Sequence, residues 1–284
     1  MHSRKVVAMD FVEETRKMLE ASGRSPKTAN SYISHLRRLV NHFGDRTGEL
    51  DKGDLREYLE GLVGEGKSLS YINQAQSAIR YLYSNVLGKN NPLPGPGVIA
   101  KKVPLHGVFT RDEIAEVFQH VHDLKYRLAL MFIYSSGLRV SETAILKREH
   151  VNLDNGVIHV YSPEGDFLRD TILARTTGRI LAQYLDLRTD PSPYLFPGRG
   201  RTSFVSARTI QRAFTDALEE AGIDKKATLG WLRHSFAVHL LEDGVDRKMV
   251  QKLLGISTPS MITPYLKLAK HRTPLRVQSP LDRF

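Results

Sequence analysis

The sequence predicts a mainly helical protein with a small antiparallel β-sheet, divided into a helical domain to about residue 88, a proline-rich linker, and a mixed domain of helices around a hairpin. Three observations carry this. Residues 8 to 87 place apolar side chains at helical spacing and contain no clear strand. The stretch NNPLPGPGVIAKKVP, Asn90 to Pro104, can form neither helix nor ladder, because Pro92, Pro94, Pro96 and Pro104 lack the amide donor. Finally, GVIHVYSP and LRDTILA read as two strands joined by Glu164-Gly165-Asp166.

Composition bounds the function. A chain of 284 residues with 41% hydrophobic and 25% charged residues has the profile of a soluble globular protein with room for two domains. The net charge of +10, from 41 basic and 31 acidic residues, suits a polyanionic partner better than a small neutral ligand. The excess is shared: 16 basic against 11 acidic residues up to position 102, and 25 against 20 beyond it. The absence of cysteine excludes disulfides, thiolate metal ligands and a cysteine nucleophile. The longest apolar run, Leu128 to Tyr134, is too short to span a bilayer, and MHSRKVV lacks the apolar core of a signal peptide, so a cytoplasmic protein is expected.

In chain order, Ser25-Pro26 opens a helix with Tyr32, Ile33, Leu36, Leu39, Val40 and Phe43 on its apolar face, closed by Gly44. Asp51 to Val63 forms a second. Ser68 or Ser70 caps a third, which buries Ile72, Ala75, Ile79, Leu82 and Val86 and turns Gln74, Gln76, Ser77 and Arg80 elsewhere. Glutamine and arginine read base edges in a major groove, so that polar face is either a DNA-reading face or a solvated one. Lys27, Arg37 and Arg38 on the earlier helix are candidates for holding phosphates. GLVGEGKS, Gly61 to Ser68, formally matches a phosphate-cradling loop, but the residues before it have a helical period, and such a loop must leave a buried strand. It reads as a glycine-rich connection between helices.

In the second half, Thr110 caps a helix with Glu113 at the capping-box position, a buried helix covers Tyr126 to Tyr134, and another runs from Thr177 to Leu187. Two short helices follow, Trp231 to Glu242 and Asp246 to Leu254, and a third from about Pro259 to Ala269.

Four stretches carry a resemblance: SSGLRVSE at Ser135 to Glu142, YLFPG at Tyr194 to Gly198, LRHSFAVHLLEDG at Leu232 to Gly244, and LLGIS followed by Tyr265, nine residues after Ile256. In order and spacing they resemble the tyrosine recombinases, most closely the Xer-like members, over essentially the whole chain. The resemblance implies an N-terminal helical core-binding (SAM-like) domain over 1–88, a linker over 89–107, an α+β catalytic domain over 108–270, and a tail, 271–284, that is a candidate protomer contact. It implies a site-specific recombinase that cleaves and rejoins DNA through a 3′-phosphotyrosine intermediate, for chromosome dimer resolution or DNA integration. The partners implied are double-stranded DNA with a specific site and further copies of the chain, in a tetramer on two duplexes. Tyr265 matches the nucleophile and Arg139 and Arg233 the two catalytic arginines, while Arg169, Arg208 and Arg212 match positions that face DNA.

The residue types suit that chemistry. A tyrosine hydroxyl attacking a phosphodiester conserves bond energy as a phosphotyrosine ester and needs neither metal nor nucleotide, so no cofactor is expected. Two arginines are rigid forks of donors for the charge that develops on the nonbridging oxygens. No convincing metal-ligand spacing is present. Three family positions depart: the hairpin lysine is Glu164, the histidine three residues before Arg233 is Gly230, and the histidine or tryptophan after LLG is Ile256. His234 and His239 match structural positions of the family's helix. Two functions follow from different classes: a recombinase, impaired to some degree, or a catalytically silent, sequence-specific DNA-binding protein on the same scaffold.

Overall fold

Helix α1 (His2–Ala21) is followed by α2 (Pro26–Phe43), whose start and stop are written locally. The Ser25 hydroxyl accepts the Thr28 amide at 3.2 Å, Pro26 supplies a preset φ, and Gly44 ends the helix at φ 60°. A 3₁₀ turn (Gly44–Gly48) leads to α3 (Lys52–Gly64), where Asp51 and Asp54 form a reciprocal capping box. Ser68 caps α4 (Leu69–Tyr81), which runs into a π-helical turn at Leu82–Val86. Ile33, Leu36 and Leu39 of α2 meet Leu55 and Leu59 of α3 and Ile72, Ala75 and Ile79 of α4 in one apolar core. The GLVGEGKS stretch joins the end of α3 to α4 through Gly66 at φ 74°, so no strand precedes it. Gln76 corrects an expectation: it is buried in α4 beside Ala75 and does not share the polar face with Gln74.

The chain divides into two units, Met1–Pro104 and Leu105–Phe284. The computed structural model describes residues 2–90, 93, 107–200, 203–269, 279 and 281, so most of the expected linker and tail lie outside the described residues.

The second unit starts with α5 (Arg111–Gln119), capped by Thr110 and Glu113 reciprocally. Helix α6 (Leu124–Ser136) is buried all round from Leu128 onward, which makes it the central helix of this unit. After Gly137 comes the short α7 (Val140–Ala144). The sheet is antiparallel, β1 (Val151–Asn152), β2 (Val157–Tyr161) and β3 (Phe167–Ile172) in that order. Val160 lies opposite Arg169 and Ile158 opposite Thr171, with a register irregularity at Val160/Tyr161 where the hairpin leaves the sheet. Helices α8 (Arg175–Asp186) and α9 (Ala207–Glu220) flank α6. Helix α10 (Gly230–Glu242) is buried over most of its surface, and α11 (Arg247–Leu254) and α12 (Thr263–Leu268) pack around it. Phe132, Phe196, Phe214 and Phe236 fill the core between them. Among the described residues, no helix is long and apolar enough to cross a membrane.

Candidate active site

Three elements converge on one carboxylate. Gly137 ends α6 in the left-handed conformation, φ 66°, and sends the chain past buried Leu138 to Arg139, the residue that precedes α7. Glu142, in the first turn of α7, accepts the Arg139 amide at 2.7 Å and its guanidinium at 2.7 Å. From β3, Arg169 meets the same carboxylate in two parallel bonds of 2.8 Å and gives its Nε hydrogen to the Leu253 carbonyl at 2.8 Å. Burial pushes the Glu142 carboxyl up, but the bound Arg169 guanidinium and the Arg139 donors outweigh it and hold the group at about 2. Arg169, expected to face DNA, is instead sealed inside, because the pairing of β3 with β2 turns its side chain to the core face beside Val160.

Arg233, on the first turns of α10, is held from both sides. One terminal nitrogen donates to the Gly137 carbonyl and the other to the Leu254 carbonyl, the latter at 2.6 Å. Glu142 lies 3.9 Å away. Burial first, then the charges of Arg139 and Arg169, lowers its pKa to about 10, which leaves it cationic at neutral pH. Two of its five donors are occupied by carbonyls, and the remainder stay free of those bonds. Arg139, by contrast, keeps 48% of its side chain exposed. One arginine is therefore fixed by carbonyls and the other reachable from solvent, with the Glu142 carboxylate bonded to the second and 3.9 Å from the first.

Tyr265 stands on α12, half-buried, and its hydroxyl lies 2.9 Å from Nδ1 of His234 on α10. Burial pushes the phenol up, while Arg233 and Arg139 pull it back, without fully offsetting burial. The three residues matched to the family's nucleophile and arginines thus act on one another in the folded chain. His234, matched by sequence only to a structural position of the family's helix, instead meets the Tyr265 hydroxyl; the contact joins two helices 31 positions apart and has no local pattern. His239 is structural, its Nδ1 lying 3.0 Å from the Tyr134 hydroxyl in the core.

The departing positions are also placed. Glu164 lies exposed in the turn between β2 and β3 and lines an open cleft of about 680 Å³ together with Glu142, Lys147, His150 and Tyr161. Ile256 follows Gly255, at φ 62°, and packs on the core at the end of α11. Gly230 opens α10.

Of the candidate DNA contacts, Lys27, Arg37, Gln74, Arg208 and Arg212 are exposed. Gln74 accepts from Ser31 at 2.8 Å, Arg38 is paired with Glu65, and Arg212 has Asp216 at 3.7 Å. Arg80 is half-buried at the end of α4.

Residues 108–272 match the phage integrase family, and residues 11–92 match the N-terminal SAM-like domain of phage integrases. The chain is 30% identical to a tyrosine recombinase XerA of Pyrococcus horikoshii over 271 residues, covering 94% of this chain and 92% of that protein. It is likewise 30% identical to a tyrosine recombinase XerD of Caulobacter vibrioides, covering 94% and 92%. A lambda integrase tetramer bound to a Holliday junction shares the fold, with a TM-score of 0.74 at 18% identity over 90% of this chain and 76% of that one. The protein therefore belongs to the phage integrase family, and its relatives are Xer-like tyrosine recombinases.

Proposed function

We propose that the protein is a site-specific DNA recombinase in which Tyr265 attacks a phosphodiester and holds the strand as a 3′-phosphotyrosine ester. One observation carries this reading: Tyr265 is joined to α10 beside Arg233 through His234, and Arg233 is bonded to the turn that presents Arg139, so the hydroxyl stands with the two groups suited to the oxygens it would charge. Arg233, pinned by two carbonyls, would present its remaining donors without reorganising, and Arg139 would close on the phosphate from the solvent side. Glu142 and Arg169 orient these groups and do not touch substrate. The partner is double-stranded DNA carrying a specific site, engaged by exposed cations of both units, Lys27 and Arg37 in the first and Arg208 and Arg212 in the second. Assembly is a tetramer on two duplexes, with the 271–284 tail as a protomer contact.

A second reading is favoured by Glu164, whose carboxylate stands in the hairpin turn where the family has its proton-donating lysine. On that reading the chain binds its site and leaves it intact. A nicked suicide duplex, bearing a sequence selected by the full-length protein from a random pool, separates the two. A covalent adduct that Tyr265→Phe erases supports the recombinase; a stable gel shift with no adduct supports the silent binder.

A further inference from the structure

Gly230 opens α10 without a side chain, and the space beside it is taken by the residue one turn further along. A β-carbon placed on Gly230 would lie 3.5 Å from Nε2 of His234 and 3.4 Å from Oγ1 of Thr228. The other ring nitrogen, Nδ1, is 2.9 Å from the Tyr265 hydroxyl, and the two rings lie 5.4 Å apart with a tilt of 35°. Positions 230 and 234 share a face of the helix, so an imidazole rooted at 234 reaches the volume that a side chain at 230 would use. The half-buried phenol feels the charges of Arg233 and Arg139, and Nδ1 of His234 is at hydrogen-bond distance from it, an acceptor in the tautomer that carries its proton on Nε2.

We propose that His234 is the proton acceptor for Tyr265, an imidazole relocated one helical turn along α10 into the space that Gly230 leaves open. The inference rests on the reading of Tyr265 as the nucleophile. With the ring proton on Nε2, Nδ1 accepts the hydroxyl hydrogen as the phenolic oxygen bonds to phosphorus. The P–O5′ bond breaks, its electron pair leaves on the 5′ oxygen, and that oxygen takes a proton from water. When the strand rejoins, the Nδ1 proton returns to Tyr265. Geometry favours this direction, since the acceptor is already within the distance a transferring proton requires.

The groups acting on the phenol from the packed elements are Arg233 on α10 and Arg139 before α7, with Glu142 of α7 behind Arg233 at 3.9 Å. Arg233 stays charged below about 10 and Glu142 stays ionised above about 2, so neither titrates in the neutral range. An imidazole does, at about 6.5 when unperturbed.

The test follows adduct formation on the same suicide duplex from pH 5 to 9. The unaltered protein should speed up through a histidine titration and then level. His234→Asn keeps an acceptor oxygen near the Nδ1 position but cannot take the proton, so the rate should fall by about 100-fold or more and lose that inflection. Gly230→His placed in a His234→Ala background should restore both. Gel-shift affinity for the duplex, expected to match the unaltered protein, separates lost chemistry from lost folding; should His234→Asn lose it, His234→Gln serves the same comparison. An unchanged rate and profile in a folded His234→Asn protein overturns the inference while leaving Tyr265 as nucleophile. An adduct that survives Tyr265→Phe, or none from the unaltered protein, overturns the recombinase reading and this inference with it.

Discussion

Arg169 and Glu142 face each other across two parallel hydrogen bonds of 2.8 Å, with 5% and 6% of their side chains exposed. The pair ties β3 to α7, and Glu142 in turn fixes Arg139 and stands 3.9 Å from Arg233. One carboxylate thus stands among three guanidinium groups. Its removal leaves Arg169 and Arg233 as uncompensated charges in a space that water barely reaches, with Arg139 at its solvent edge.

Glu142→Gln should accordingly cost about 3–5 kcal/mol of stability at pH 7, read from the urea unfolding midpoint, because an uncompensated buried charge is the expensive outcome. The pH dependence has a fixed sign. The folded carboxyl sits at about 2, below the about 4.3 of an unfolded chain, so its stabilisation is complete above about 4.3 and is lost as pH falls toward 2. The part lost is on the order of 3 kcal/mol, and the Glu142→Gln protein should show a flatter stability profile across that window. Equal slopes for the two proteins would place the acid sensitivity elsewhere.

Gly137 should tolerate no side chain. Its φ is 66°, and an added β-carbon would meet Phe236 at 2.6 Å and Leu254 at 2.9 Å, both core residues. Left-handed strain of roughly 1–2 kcal/mol and overpacking of roughly 1–3 kcal/mol add to a loss of about 2–5 kcal/mol for Gly137→Ala. Because the Gly137 carbonyl accepts from Arg233, adduct formation should fall further than stability alone explains. Unfolding and cleavage measured on the same preparation check both parts; Gly66→Ala, with nothing within 4 Å of the added carbon, is the strain-only control.

Much of this was legible because it is local. Ser25, Ser68 and Thr110 cap the helices they were expected to cap, and the hairpin turns where Glu164-Gly165-Asp166 stands. What was not legible depends on partners distant in the chain. In β3, Arg169, expected to face DNA, is buried, and Leu168 beside it is 48% exposed. A strand's parity is set by its neighbour, and here β2 pairs Val160 with Arg169 beside an irregularity that shifts the register. Gln76 went inward for a similar reason, since a helical face is polar or buried according to what packs on it. In the tail, expected as a protomer contact, Leu281 is buried in the core of its own unit and Ser279 donates to the Ser135 carbonyl at 3.0 Å.

DNA binding should weaken steeply with salt, with a log-log slope of several units, because exposed cations in both units would displace counterions. Arg208→Ala and Arg212→Ala should each reduce that slope by about 1 with little loss of stability, as both side chains are exposed on α9. Arg169→Ala should do the reverse, unfolding the protein more readily while leaving the slope of the folded fraction intact. A flat salt response, or full affinity in residues 105–284 alone, would remove the two-unit model of binding.

The hairpin carboxylate sets the last expectation. Glu164 is exposed in a turn whose neighbours, Ser162 and Gly165, impose no packing on it, so Glu164→Lys should fold normally. The change replaces a charge that repels phosphate with a donor for the departing 5′ oxygen, so adduct formation should rise by roughly 100-fold or more, and gel-shift affinity only slightly. Ile256→His should add little alone, since position 256 packs on the core and a histidine there must first turn outward. Gly230→His should also add little while His234 occupies the space beside it, and should help once that ring is removed. Tyr265→Phe in the Glu164→Lys background should erase the gain. If Glu164→Lys leaves the rate unchanged in a protein that already forms the adduct, another residue supplies the acid. Lys147 is then the first to test, because it lines the same cleft as Glu164, with its ammonium 3.3 Å from Glu149, whereas Lys225 is held by Glu113 at 2.6 Å and lines no part of it. Lys147→Ala should in that case lower adduct formation by about 100-fold while Lys225→Ala leaves it intact.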